Sequence, residues 1–138
     1  MAAYRQTPPC LVEKGTINPD LRSEWKRRKW GGAVDGKKEV RRTALGVDET
    51  GKVLFFAIGE EIRADDLAVS VKAAGAIDVA QLDINWSYTR FLFFGTPGPG
   101  KPLQVTSTLI PKLKHAKRGY VSTPSSRDFF YLRRHAVQ

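Results

Sequence analysis

Cysteine is almost missing from this sequence: Cys10 is the single one among 138 residues, so no disulfide can form within the chain. A lone cysteine beside the apolar pair Leu11-Val12 predicts a small buried hydrophobic side chain rather than a catalytic thiol. The two histidines, His115 and His135, do not have metal-ligand spacing, and neither paired cysteines nor a phosphate-binding glycine loop occurs. We therefore expect no metal site and no cofactor.

Long apolar runs are also missing. No stretch approaches the ~18 residues that a membrane-spanning helix needs. The segment Met1–Pro9 lacks the apolar core of a signal peptide, so we expect no signal peptide in this chain, and the sequence does not indicate a compartment or an oligomeric state.

Positive charge is abundant, with 23 Lys and Arg against 14 Asp and Glu and a formal net charge of +9. This excess favours anionic partners such as nucleic acid or phosphorylated sugars. Basic residues alternate with Trp25 and Trp30 between Leu21 and Trp30, a composition that can bind nucleic acid through phosphates and stacking. The interpretation we favour is a solvated segment whose tryptophans anchor it to the domain.

The pattern changes near Lys37 and predicts an irregular N-terminal segment, residues 1–39, followed by an α+β domain, residues 40–138. The predicted architecture is a mixed β-sheet of hairpins with one amphipathic helix, about 65–75, packed on it. In that helix Asp65 is placed to cap the start and Gly75 to follow the last turn. The strands are predicted near 40–47, 53–58, 77–82, 88–94, 103–110 and 128–134.

The most site-like feature is the polar turn Asp83-Ile84-Asn85, which follows a predicted buried strand. A strand end fixes a carboxylate while the loop exposes it, so Asp83 is a candidate catalytic residue. Asn85 and Ser87 supply an amide and a hydroxyl, and Trp86 could form a platform for a sugar ring. The structural alternative is an Asx-type turn in which Asp83 and Asn85 bond only to local backbone.

The pair Arg41-Arg42 lies inside a predicted strand, where only one side chain of the two faces the core. A buried arginine needs an acceptor, so an inward Arg42 would pair with Asp83 or clamp a phosphate. The alternative is two surface arginines on an edge strand.

The order of several short motifs resembles the phosphodiester glycosidase family, whose best-known member removes N-acetylglucosamine to uncover mannose 6-phosphate. The motifs are Leu11-Val12-Glu13-Lys14-Gly15, then Arg42-Thr43-Ala44-Leu45-Gly46, then Gly75-Ala76-Ile77 leading to Leu82-Asp83. By this resemblance Arg42, Gly46, Asp83, Ser87 and Arg127 fall on family positions. The chain resembles the C-terminal part of such an N-acetylglucosamine-1-phosphodiester α-N-acetylglucosaminidase-like domain, and the domain is expected to be partial.

The resemblance implies hydrolysis of a sugar linked through phosphate, with Asp83 and Arg42 catalytic and Asn85, Trp86, Ser87 and Arg127 binding substrate. The family turn is rich in glycine, whereas this chain has Ile84, Asn85 and Trp86 there. Three functions therefore stay open: an active glycosidase, a non-catalytic sugar-phosphate-binding relative, and a basic nucleic-acid-binding protein. Family members are often secreted or luminal.

Overall fold

The computed structural model describes residues 7–33, 35–113, 115, 121 and 129–133. The chain divides into two compact units, Met1–Thr89 and Arg90–Gln138. One helix and antiparallel β-strands make up the described regular structure, so the predicted α+β class is confirmed. The predicted boundary after Glu39 does not coincide with the division at Thr89, because strands from the N-terminal segment join the main sheet of the first unit.

The first unit is built on a five-stranded sheet. Its strands follow the order β2-β1-β5-β3-β4, and each neighbouring pair is antiparallel, where a mixed sheet was expected. The strands are β1 (Val12–Glu13), β2 (Thr16–Ile17), β3 (Val40–Val47), β4 (Leu54–Ile62) and β5 (Asp78–Gln81). Because β3 lies between β5 and β4, its side chains can reach both the core and the end of β5.

Strands β3 and β4 form the predicted hairpin, closed by Asp48 and a glycine with positive φ. The Asp48 carboxylate accepts hydrogen bonds from the amides of Lys52 and Val53 at 3.0 and 2.9 Å and from the Thr50 hydroxyl at 2.6 Å. Gly51 has φ +67°, which glycine adopts without a steric cost. The turn thus holds the register that pairs Val47 with Leu54.

Helix α1 (Ala64–Ala73) packs on the sheet through the face that the sequence predicts. Its buried residues are spaced three and four apart, as one helix face requires: Ala64, Leu67, Ala68 and Val71. The helix begins one residue earlier than expected, because Asp66, rather than Asp65, accepts the amide of Arg63 at 3.3 Å. Gly75 follows with φ +112°, as the sequence predicts.

Gly46 in β3 lies close to the backbone and side chains of the segment that leads into β5. A Cβ there would lie 3.0 Å from the Cβ of Ala76 and 3.1 Å from the carbonyl oxygen of Asp78. The backbone carbonyl cannot move aside without breaking the β3–β5 pairing, so the absence of a side chain at Gly46 is a packing requirement.

The N-terminal segment contributes to the core through Trp30 and two 3-10 helices, Pro19–Arg22 and Lys26–Trp30. Trp30 is fully buried, and its indole nitrogen donates to the carbonyl of Pro9 at 2.8 Å. Trp25 is 70% exposed, so the anchoring role predicted for both tryptophans holds for Trp30 alone. Cys10 is also exposed, and the prediction that it is buried is wrong, because the chain turns inward only at Leu11.

The second unit contains a hairpin of β6 (Leu92–Gly95) and β7 (Gln104–Thr108). The strand predicted from residue 88 starts later, because residues 85–89 continue the polar turn. The predicted closing strand does not form over its described residues, 129–133, and its other residues lie outside the described part of the chain. Within the residues described, no helix is long and apolar enough to cross a bilayer.

Candidate functional site

The polar turn after β5 is a pair of nested Asx turns. The Asp83 Oδ1 atom accepts the amide of Asn85 at 2.8 Å. The Asn85 Oδ1 atom accepts the amide and the hydroxyl of Ser87 at 2.9 and 2.7 Å. Asp and Asn side chains form such bonds readily because they mimic a backbone turn. The local bonds are those of the structural alternative, and they bring three predicted site residues together.

Hydrogen bonds with Thr43 of β3 also hold the turn. The Thr43 hydroxyl donates to the carbonyl of Asp83 at 2.7 Å, and the Leu82 amide donates to the carbonyl of Thr43 at 2.8 Å. The amides of Tyr88 and Thr89 both donate to the carbonyl of Asn85 at 3.0 Å. The backbone of the turn is therefore held by several hydrogen bonds, and the side chains of Asp83, Asn85 and Ser87 are held by their own local bonds.

Two polar atoms of the turn keep their bonding capacity. Within the described part of the chain, Asp83 Oδ2 accepts no hydrogen bond and Asn85 Nδ2 donates none. The same turn contains Trp86, a residue that is 58% exposed, and Tyr88 is exposed as well. The turn therefore offers one acceptor, one donor pair and aromatic surface to solvent.

Arg42 does not take part in this arrangement. It is only 2% exposed, and its pKa is lowered by burial, although an arginine stays protonated at any physiological pH. Its five N–H groups donate at 2.8 to 3.1 Å to Gln81 Oε1 and to four carbonyls, those of Trp30, Gly31, Lys38 and Ile62. The predicted pairing of Arg42 with Asp83 is wrong, because all five donors have other acceptors.

Gln81 is a partner of Arg42 that the sequence interpretation missed. Its side chain is fully buried, with Oε1 accepting from Arg42 and Nε2 donating to the carbonyl of Trp30 at 2.9 Å. A signal for it exists, since Val79 and Gln81 are the two inward positions of β5 and a polar side chain there needs a buried partner.

Arg41, and not Arg42, is the arginine next to the polar turn. Its Nη1 donates to the carbonyl of Trp86 at 2.9 Å, while Nε and Nη2 contact Glu60 at 2.7 and 2.5 Å. Strand alternation predicts that the two arginines face opposite sides of the sheet, but it does not say which side each one takes.

The other predicted features are placed as follows. Arg127 lies outside the described residues. Among those described, no group of three His, Cys, Asp or Glu side chains could hold a metal ion. Trp25, in the basic stretch, lies under the guanidinium of Arg28, 4.5 Å from the ring centroid. Nucleic-acid binding by this stretch stays a prediction.

Known proteins provide no further guide to the site. Comparisons with models of protein families, with characterised proteins and with solved structures found no match to this chain. The α+β fold and the fixed polar turn are thus the structural findings on which a function can be proposed.

Proposed function

We propose that the polar turn at Asp83 binds a sugar that carries phosphate and that the chain does not hydrolyse it. The observation that carries this proposal is the pair of atoms Asp83 Oδ2 and Asn85 Nδ2, which have no hydrogen-bond partner among the described residues, in the same turn as the exposed residue Trp86. The resemblance to phosphodiester glycosidases suggests the ligand class.

The chemistry of the turn suits a sugar ring. An indole face buries the apolar face of the ring, while a carboxylate oxygen and an amide group bond to neighbouring hydroxyls. Because the nested Asx turns fix these groups before the ligand arrives, little side-chain ordering is lost on binding. The guanidinium of Arg41 lies beside the turn, bonded to the carbonyl of Trp86, and a phosphate would compete there with the exposed Glu60 for its charge.

The bonding of Arg42 favours binding without catalysis. Hydrolysis of a phosphodiester-linked sugar would need cations that hold the developing charge together with a carboxylate for acid–base or nucleophilic work. Arg42, the cation that the resemblance assigns to this role, has no N–H left for a substrate. A substrate would have to displace a buried carbonyl acceptor to reach it, which costs a buried hydrogen bond.

The proposal is tested by titrating the isotopically labelled chain with N-acetylglucosamine 1-phosphate and following amide resonances. We expect shifts at residues 83–89. Trp86→Ala should weaken the affinity about tenfold, because it removes the aromatic platform. Asp83→Asn should retain most of the binding, since an amide oxygen can still accept.

The matched control is Trp25→Ala, which removes the other strongly exposed tryptophan and should leave the shifts at 83–89 unchanged. No shift at the turn at millimolar ligand would refute binding there. The non-catalytic assignment would be contradicted if the wild type released nitrophenol from a nitrophenyl phosphodiester of the sugar and Asp83→Asn did not.

A further inference from the structure

A second polar feature of the first unit is a basic cleft of about 290 Å³. It lies between the 3-10 helix Lys26–Trp30, the loop that follows, and the start of α1. Five cationic side chains and one carboxylate line it: Arg27, Arg28, Lys38, Arg42, Arg63 and Glu24. None of these residues belongs to the polar turn, so the cleft is a separate site.

Arg42 gives the cleft a fixed positive charge. Its N–H groups donate to four carbonyl oxygens and one amide oxygen, and none of these five hydrogen bonds goes to a carboxylate. Dipoles solvate a buried charge but do not cancel it at longer range. The carboxylates of Asp65 and Glu39 attract this charge from a distance, and an anion entering the cleft would be attracted by it as well.

Arg27 supplies an unused donor. Its Nη1 donates to the Asp65 carboxylate at 2.6 Å, which holds the guanidinium in place, and its side chain is 17% exposed. Its Nε is buried, and no acceptor for it exists in the described part of the chain. Buried N–H groups without an acceptor are rare in native proteins and commonly indicate a missing water or ion. An oxyanion in the cleft is such an acceptor.

Arg28 supplies a complete guanidinium. It lies over the exposed ring of Trp25 at 4.5 Å, and among the described residues it has no carboxylate or carbonyl partner. Stacking on the indole fixes the guanidinium plane while leaving the N–H edge available. An arginine prepared in this way can bond two oxygens of a phosphate group at once.

The remaining cations are held by exposed ion pairs that an anion can replace. Lys38 contacts Glu24, and Arg63 lies 3.7 Å from Glu39, with all four side chains substantially exposed. Exposed ion pairs contribute little to stability, so breaking one of them to bind a doubly charged ligand costs little free energy. We infer that this basic cleft binds a phosphate dianion, either free phosphate or a phosphomonoester, between Arg27, Arg28 and Lys38.

The size of the cleft agrees with this ligand class. A cleft of this volume has room for a phosphate group together with a substituent. The inference does not depend on sugar binding at the turn, because the two sites share no residue and their amide resonances are distinct.

The test titrates the full chain with inorganic phosphate and, separately, with methyl phosphate, and follows the amides of residues 27–38. Arg28→Gln should weaken binding about tenfold, since a bidentate charge-assisted contact is lost. The control is Arg22→Gln, which removes the same charge from an exposed residue of the preceding 3-10 helix that does not line the cleft. It should change the affinity less than about twofold, because Arg22 does not line the cleft and exposed charges are screened by salt.

Tight binding of methyl phosphate supports a phosphomonoester ligand, and binding of inorganic phosphate alone supports free phosphate. Equal losses of phosphate affinity in Arg28→Gln and Arg22→Gln would show that the attraction is diffuse, and this result would overturn the proposed site. So would the absence of shifts at residues 27–38 with both probes. A preserved amide spectrum for each variant shows that the chain still folds.

Discussion

At the scale of single residues, Arg42 shows how one side chain can look catalytic in a sequence and be structural in the fold. Its guanidinium joins three separate backbone segments, because the four carbonyls that it bonds belong to the adjacent residues Trp30 and Gly31, to Lys38 and to Ile62. A rigid fork of five donors is needed to reach acceptors in so many directions. Arg42 thus ties the N-terminal segment to β3 and β4.

We expect Arg42→Lys to lower the free energy of unfolding by about 3 kcal/mol, although the charge is kept. An ammonium group has three donors on a single atom, so buried carbonyls lose their partners. Urea denaturation measures the effect. In the control, Arg41→Lys, the neighbouring residue loses only its contact with the exposed Glu60 and its bonds to the turn, and the change should be below about 1 kcal/mol. Equal losses of unfolding free energy in the two variants would contradict a stabilising role for the hydrogen bonds of Arg42 to the buried carbonyls.

The sequence located the polar turn but could not assign its partners. Asp83, Asn85 and Ser87 bond within five positions of one another, and such local bonds follow from residue type and spacing. The acceptors of Arg42 come from residues up to 39 positions away, Gln81 being the most distant. Contacts of that kind depend on how the strands pair, which a single sequence does not reveal.

At the scale of elements, the turn between β3 and β4 carries a titratable group. Hydrogen bonds from the Thr50 hydroxyl, and then from the Val53 and Lys52 amides, hold the pKa of Asp48 below its ordinary value. A carboxyl whose pKa is lower in the folded state stabilises the fold above its unfolded pKa, about 3.9. That stability is lost as the pH falls through the folded pKa.

Asp48→Ala should therefore destabilise the hairpin at pH 6 and have a smaller effect at pH 2, because more of the wild-type carboxyl is protonated there. Chemical denaturation at the two pH values checks this expectation. Glu49→Ala is the control, since Glu49 is the next residue and is exposed. A destabilisation by Asp48→Ala that is the same at both pH values would contradict the role of the ionised carboxylate.

The elements that sequence patterns predicted best are those closed by local signals. Strand β3 begins and ends as predicted, and the turn at Asp48 closes it. The strand expected at 88–94 began late, since the amides of Tyr88 and Thr89 are bonded to the carbonyl of Asn85. Aromatic composition favours a strand, but here backbone bonds of the preceding turn decide where it starts.

At the scale of the whole molecule, buried apolar surface is unequally shared between the two units. The core of the first unit includes Leu11, Trp30, Leu67 and Val79 among eleven buried hydrophobic residues. In the described part of the second unit, Leu113 is the one hydrophobic residue that is buried. The cooperative stability should therefore come from the first unit.

Amide hydrogen exchange should show this difference. We expect the amides of β3 and α1 to exchange slowest, and those of β6 and β7 to exchange faster by about two orders of magnitude, because a two-stranded hairpin is marginally stable by itself. Equal protection in both hairpins would show that the second unit is as stable as the first. The division at Thr89 is not visible in the sequence, because no change of composition marks it.

The exposed thiol of Cys10 gives this chain a single chemical handle. A maleimide fluorophore would couple there with a stoichiometry of one, next to the Pro9 carbonyl that the indole of Trp30 bonds. Because tryptophan quenches many dyes at short range, emission would rise when the N-terminal segment leaves the core. The detachment of the N-terminal segment that leads into β1 could then be followed in real time, separately from global unfolding.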